Sequence, residues 1–115
     1  MNRVHLASRE LGPVKEYDIF VPLYFNDGRP VEAEKFQELQ EALLNHFGGL
    51  TFFPQPNKGF WRMAGATYRD EIVIYRVIGS AAEGARPFLK NLKERLKADF
   101  GQEEILMVER DVEML

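Results

Sequence analysis

The residues best suited to binding chemistry gather in one irregular stretch of the chain, between residues 57 and 70. It carries two aromatic rings, three cationic groups and a carboxylate, namely Lys58, Trp61, Arg62, Tyr68, Arg69 and Asp70. The rings of Trp61 and Tyr68 can stack on a planar ligand, and the guanidinium of Arg62 can pair with an anionic one. Because loops on rigid scaffolds often carry binding residues, we predict that a ligand site lies here. The competing interpretation is that Trp61 only packs this segment against a sheet while its charged neighbours are solvated.

Catalytic, metal and cofactor chemistry have no comparable set of residues. The chain has no cysteine, which excludes disulfides, thiolate zinc sites and cysteine nucleophiles. Its two histidines, His5 and His46, lie far apart, so we predict no metal site, no cofactor and no catalytic residue. Asp18 invites comparison with small dimeric nucleases that use a first-strand aspartate, but its position fits that role poorly.

Size and charge restrict the class of protein. At 115 residues, with 45% apolar residues, the chain has the length and composition of one globular domain. Its net charge of −3 argues against a protein whose affinity rests on nucleic acid phosphates. There is no long apolar run for a membrane span and no apolar core of a secretory signal, so we expect no membrane association and a cytoplasmic location.

Apolar periodicity predicts six elements in the order β-α-β-β-α-β. The strands are expected over residues 17–25, 50–53, 70–78 and 103–112, and the helices over 36–47 and 83–100. Residues 1–16 show no sustained period, so we expect an N-terminal arm followed by a single domain over 17–115. The two helices differ in charge, since residues 31–47 carry four acids and one base whereas 83–100 carry five bases and three acids.

This order predicts an α+β fold, the ferredoxin-like βαββαβ sandwich, in which a four-stranded antiparallel sheet carries two helices on one face. Pro22 falls inside the first predicted strand, which is central in this topology. Because proline cannot donate a ladder hydrogen bond, we expect a bulge or a strand end at that residue.

Three motifs resemble those of a family of small uncharacterised bacterial proteins. They are the GGLT run at residues 48–51, the GFW run at residues 59–61 and the DEIVIYRV strand at residues 70–77. The resemblance covers roughly residues 17 to 113 and implies a ferredoxin-like domain. It brings no catalytic residue with it.

The second face of the predicted sheet is expected to need a cover. Both central strands carry apolar side chains on two faces, whereas the helices cover only one. We therefore predict a homodimer that forms through the open face, and assign Phe20, Tyr24, Tyr75 and Arg76 to that face or to the dimer interface.

No motif names a function, and we favour a non-catalytic binding or regulatory module. As a homodimer it would dock to a protein partner or a small ligand through residues 57 to 70 or through the oppositely charged helices. The alternative is a cofactor-free enzyme of the dimeric α+β barrel type, with a hydrophobic substrate over the open face and Tyr24, Tyr75 or Arg76 as its polar groups. An RNA-binding protein and a small metal-dependent nuclease rank below both.

Overall fold

The ferredoxin-like α+β fold is confirmed by a computed structural model, which describes residues 12 to 115. The elements are β1 (Gly12–Pro22), α1 (Ala33–Phe47), β2 (Thr51–Met63), β3 (Ala66–Gly79), α2 (Ala85–Asp99) and β4 (Met107–Met114). A 3-10 turn, Ala81–Glu83, precedes α2. The strands form one antiparallel sheet in the order β2-β3-β1-β4.

The core lies between the sheet and the two helices. Alternation along the central strands places Tyr17, Ile19 and Val21 of β1 opposite Val77, Tyr75 and Val73 of β3, all on the helix side and all buried. The helices complete the core with stripes spaced three or four residues apart: Leu39, Leu43 and Phe47 from α1, and Ala85, Leu89, Leu92 and Leu96 from α2.

The ends of the helices follow their local sequence. The chain leaves α1 at Gly48, whose φ of 79° is a left-handed conformation that glycine adopts without steric cost. The two helices meet where the ring of His46 stacks on that of Phe88, with 4.0 Å between the ring centroids. Neither α1 nor α2 is long and apolar enough to cross a membrane.

Strand β1 begins earlier than its sequence pattern predicts. Residues 12 to 16, which we assigned to the arm, belong to β1 and pair with β4, where Gly12 lies opposite Met114. These residues form a strand because they pair with β4, which is about 100 residues away in the sequence. The pattern of apolar residues within 12–16 does not reveal that pairing. The rest of the predicted arm, residues 1 to 11, lies outside the described residues. Pro22 is the last residue of β1, and the predicted strand end is confirmed.

The stretch before residue 70, in which prolines and glycines predict a hairpin-like excursion with turns at 54–59 and 64–65, is a regular hairpin that turns at 64–65. Strand β2 runs for 13 residues, with a shift of register between Phe53 and Asn57 where the prolines interrupt the ladder. Ala64 and Gly65 connect it to β3, and both have positive φ, at 49° and 81°. Two such residues give the turn that matches the twist of a hairpin.

Gly79 provides a test of how tightly α1 packs on the sheet. A β-carbon at position 79 would lie 2.8 Å from Cε1 of Phe47, a side chain that is 6% exposed. We therefore expect Gly79→Ala to lower the free energy of unfolding by about 1–3 kcal/mol, because a filled core must shift to admit the methyl group. Urea denaturation monitored by circular dichroism measures the change.

The matched control replaces the ring as well. In the double variant Gly79→Ala, Phe47→Leu, the clash is relieved, so the loss of stability should be smaller than the sum of the two single losses. Strictly additive losses would contradict the contact between residues 47 and 79.

Candidate ligand-binding cleft

Three connections of the fold meet at one end of the sheet. Because β1 and β2 run towards this end while β3 and β4 run away from it, the β1–α1 loop, the β2–β3 hairpin and the α2–β4 loop are neighbours there. They enclose a cleft of about 1030 Å³. Its lining residues come from all three segments: Tyr24, Phe25, Asn26, Gly28, Trp61, Met63, Tyr68, Arg69, Asp70, Glu71, Gln102, Glu103, Glu104 and Leu106.

Aromatic side chains form much of the cleft wall. Tyr24 is 42% exposed, Trp61 39% and Tyr68 51%. Such large, partly apolar surfaces are usually buried in a folded domain or reserved for a partner. The cleft therefore offers ring faces on which a planar ligand can stack.

Trp61 is held in place by the glycine two residues before it. Gly59 and Trp61 lie on the same face of β2, and a β-carbon at position 59 would approach the indole ring to 3.1 Å. The indole ring thus lies across the backbone of Gly59. A side chain at position 59 would occupy the space that the ring fills. Tyr68 is the cross-strand partner of Trp61, so both rings belong to one face of the hairpin.

One edge of β3 is bare where it borders the cleft. Pairing with β1 ends at Pro22 opposite Ile72, and one further bond runs from the N–H of Leu23 to the carbonyl of Glu71, at 2.9 Å. Beyond it, residues 66 to 70 of β3 pair with β2 alone. Their other edge faces the cleft.

The two loops opposite this edge hold each other in position. The side-chain amide of Asn26 donates to the carbonyl of Gly101, at 3.1 Å, and the amide of Gln102 donates to the side-chain oxygen of Asn26, at 3.3 Å. The β1–α1 and α2–β4 loops therefore form one wall.

The cleft is acidic. Its lining includes four acidic residues, Asp70, Glu71, Glu103 and Glu104, and one basic residue, Arg69. The ammonium group of Lys93 binds Glu104 at 2.9 Å and lowers the pKa of that carboxyl. Within residues 12–115 the other three carboxylates form no ion pair, so the cleft favours a cationic ligand over an anionic one.

Four of the six residues predicted from the irregular stretch line this cleft: Trp61, Tyr68, Arg69 and Asp70. Lys58 and Arg62 do not, and the guanidinium of Arg62 instead donates to the Thr67 hydroxyl at 3.3 Å. The residues of the two facing loops, 25 to 28 and 102 to 106, were not predicted. The signal for them lay in the topology, since the ferredoxin-like order places all three connections at one end.

The open face of the sheet differs from the apolar surface predicted for it. Phe20 and Arg76 lie on this face, as expected from their register. Tyr75 does not: strand alternation turns it to the helix side, where it is fully buried and its hydroxyl accepts a hydrogen bond from Gln40 at 3.2 Å. Tyr24 lies beyond the end of β1 and lines the cleft instead.

An ion cluster occupies the middle of the open face. The carboxylate of Asp18 accepts hydrogen bonds from Nε and Nη2 of Arg76, at 2.8 and 3.1 Å, and another from Arg110. Glu16 contacts both arginines, and the ring of Phe53 lies 5.0 Å from the guanidinium of Arg76. Arg76 first, and Arg110 as well, lower the pKa of Asp18 against the opposing effect of its burial.

A second, smaller cavity of about 180 Å³ lies between α2 and β4. Tyr17 lines it together with Glu109, which pairs with Arg86. Burial first, and a hydrogen bond to Glu109 second, raise the pKa of Tyr17 to about 12. Phe20, Tyr75 and Arg76 line neither cavity; of the residues assigned to the pocket of the barrel-type enzyme hypothesis, only Tyr24 lines the larger one. In the described part of the chain, no three His, Asp or Glu side chains form a group that could hold a metal ion.

Comparison with known proteins agrees on the fold. No family model matches the chain, and no curated protein matches it. Among solved structures, a phage SAM lyase in complex with S-methyl-5′-thioadenosine is 20% identical, with a TM-score of 0.65 over 85% of this chain and 81% of the lyase. The same lyase in its apo state gives a TM-score of 0.64.

Two divalent cation tolerance proteins are also similar. CutA1 from Thermus thermophilus is 20% identical, with a TM-score of 0.55 over 83% of this chain and 82% of that one. CutA1 from Oryza sativa is 12% identical, with a TM-score of 0.57 over 90% of this chain and 82% of that one. At these identities the likeness shows the fold alone. The fold implied by the bacterial family resemblance is confirmed, whereas no family model accounts for its motifs.

The ion cluster gives a prediction about stability. Asp18 is 5% exposed, so Asp18→Asn removes a buried charge shared by two arginines and turns one of its two acceptor oxygens into an amide NH2 that faces their N–H groups. We expect Asp18→Asn to cost about 2 kcal/mol or more at pH 7, measured by urea denaturation. Because the folded-state pKa is lowered, the difference between the wild type and Asp18→Asn should be full above about pH 4 and shrink as pH falls further.

A matched control uses an exposed aspartate. Asp111 pairs with Lys15, but its side chain is 85% exposed, so Asp111→Asn should change stability by no more than about 1 kcal/mol. Equal effects of the two substitutions, or a difference that grows on acidification, would refute the role given to Asp18.

Proposed function

We propose that the cleft binds S-adenosylmethionine or a closely related adenosyl compound. One observation carries this proposal: a cleft of about 1030 Å³ combines exposed aromatic rings with carboxylates that have no ion-pair partner within residues 12–115. Such a site suits a ligand that is planar at one end and cationic at the other.

S-adenosylmethionine has this chemistry. Its adenine ring can stack on tyrosine or tryptophan, an interaction worth about 1–3 kcal/mol per base. Its sulfonium and ammonium groups are cations, which aromatic faces and carboxylates attract. The cleft holds both kinds of group, with Trp61 and Tyr68 on the hairpin, Asp70 on β3 and Glu103 on the α2–β4 loop.

The likeness to the phage SAM lyase supports the same ligand. That enzyme shares the fold over most of both chains and was solved with S-methyl-5′-thioadenosine, an adenosyl thioether. The divalent cation in the name of CutA1 receives no such support, because residues 12–115 offer no group of metal ligands.

Among the functions weighed from sequence, this proposal favours the small-ligand form of the binding module. It uses the predicted stretch of residues 57 to 70, through Trp61, Tyr68, Arg69 and Asp70. The homodimer and a protein partner stay predictions, as does a cytoplasmic location.

Cleavage of the ligand is a second candidate function. A base removes a proton from the side-chain carbon next to the one bonded to sulfur. The electrons of that C–H bond form a carbon–carbon double bond as the bond between sulfur and the amino-acid chain of S-adenosylmethionine breaks. Sulfur keeps the electron pair and becomes the neutral thioether of S-methyl-5′-thioadenosine, and the amino acid leaves as 2-aminobut-3-enoate. The sulfonium is already an activated leaving group, so that no cofactor is needed. The carboxylates of Asp70 and Glu103, which form no ion pair in the described chain, are the candidate acid–base groups.

Binding is tested by calorimetry with S-adenosylmethionine and with S-methyl-5′-thioadenosine. We expect Trp61→Ala and Tyr68→Ala each to weaken affinity about 5- to 150-fold, which corresponds to about 1–3 kcal/mol of lost stacking. The cationic ligand should bind more tightly than the neutral thioether, because the cleft is acidic.

Phe60 supplies the matched control for this experiment. It is aromatic, 61% exposed and adjacent to Trp61, but strand alternation turns it to the other face of the hairpin. Phe60→Ala should therefore leave affinity unchanged. An equal loss in all three variants would show that the hairpin as a whole is disturbed, and absence of binding by the wild type would end the proposal.

Cleavage is tested by incubating the protein with S-adenosylmethionine and measuring S-methyl-5′-thioadenosine by chromatography. If the second candidate holds, product accumulates above the uncatalysed rate, and Asp70→Asn or Glu103→Gln lowers the rate about 100-fold or more. Glu38→Gln, a substitution on the exposed surface of α1, is the control and should keep the full rate. Binding without product would leave a binding module.

A further inference from the structure

Along the bare edge of β3, every second residue directs its backbone N–H and C=O groups into the cleft. In an antiparallel ladder, the N–H and C=O of one residue point to the same neighbouring strand, and successive residues alternate. The carbonyl of Glu71 points away from β2, since it accepts from Leu23. The backbone groups of Arg69 and Thr67 therefore point the same way, into the space that β1 no longer fills.

The hairpin turn independently gives the same assignment of which β3 residues face the cleft. A two-residue connection requires its flanking residues, Met63 and Ala66, to bond one another. Even-numbered residues of β3 thus bond β2, and odd-numbered residues face the opposite edge. Within residues 12–115, nothing hydrogen bonds the backbone N–H or C=O of Arg69 on that edge.

We propose that this edge recognises the adenine base of the ligand. The N–H of Arg69 donates to N1 of adenine, and a carbonyl on the same edge, from Thr67 or Arg69, accepts from the 6-amino group. This inference rests on the proposed function, since it assigns a base-reading role within the same cleft. Base reading adds selectivity, because the hydrogen-bond donors and acceptors of a strand edge distinguish one purine from another, whereas stacking does not.

Hypoxanthine is the base that this edge would reject. Its N1 carries a hydrogen and its position 6 carries a carbonyl, so both groups are reversed relative to adenine. Donor would then face donor and acceptor would face acceptor. A site built for hydrogen bonding discriminates strongly against a ligand that leaves its polar groups unpaired.

The test compares two neutral ligands that differ only at this edge, S-methyl-5′-thioadenosine and S-methyl-5′-thioinosine. For the wild-type protein, calorimetry should show at least about tenfold tighter binding of the adenosine compound, as expected for a paired set of base contacts. Equal affinities would overturn the base-reading role while leaving the ligand site intact. No binding of either compound, or of S-adenosylmethionine, would instead remove the proposed function.

A backbone substitution identifies the donor. Arg69→Pro removes the N–H that faces the cleft, and it spares the bonds to β2, to which Arg69 does not contribute. We expect the preference for adenosine to fall to within about twofold, with circular dichroism and melting temperature close to the wild type. Arg69→Ala keeps the N–H and removes the guanidinium, so its preference should be retained; a loss there would assign recognition to the side chain.

A modified ligand covers the case in which Arg69→Pro fails to fold. S-methyl-5′-thio-1-deazaadenosine lacks the N1 acceptor and keeps the 6-amino group. The wild-type protein should bind it about tenfold more weakly than the parent compound. Unchanged affinity would exclude a hydrogen bond from Arg69 to N1.

Discussion

The backbone of residues 23 to 31 is paired with itself, and the cleft depends on this. The N–H of Phe25 donates to Arg29 at 2.8 Å, and that of Val31 donates to Leu23 at 2.9 Å, around a turn in which Gly28 has a φ of 91°. A chain that satisfies its own polar groups in this way does not continue along β3. Strand β3 therefore extends past β1 and keeps an unpaired edge.

The exposed rings of the cleft result from the absence of a strand beside this part of β3. Tyr68 and Trp61 belong to a hairpin whose strands pair only with one another near the turn, so no helix or third strand covers their rings. An open edge beside exposed rings also invites association with other strands. The facing loops are joined through Asn26, and the carboxylates of Asp70 and Glu103 give the cleft negative charge.

Sequence patterns predicted the parts of this structure whose side chains are buried in a regular period. The strand around residues 70 to 78 and both helices are of this kind. The outer half of β2 was missed, because almost every residue from Thr51 to Met63 is exposed and two prolines interrupt it. The placement of Tyr75 on the open face was wrong, because adjacent residues of a strand point to opposite faces and Tyr75 cannot share a face with Arg76. Only the hairpin side of the cleft was predicted, because its aromatic and charged residues are close together in the sequence. The loop residues on the other side are brought to the cleft only by the topology of the fold.

The ion cluster also changes how the open face can be covered. A patch of apolar side chains alone would favour any apolar partner. Here Asp18 is already desolvated and holds Arg76 and Arg110, whose side chains are 36% and 42% exposed. A second copy seated on this face would need to supply acceptors for the remaining guanidinium hydrogens, since burying them unpaired is costly. The predicted homodimer is thus restricted to arrangements in which polar groups meet the arginines while apolar residues pack around them.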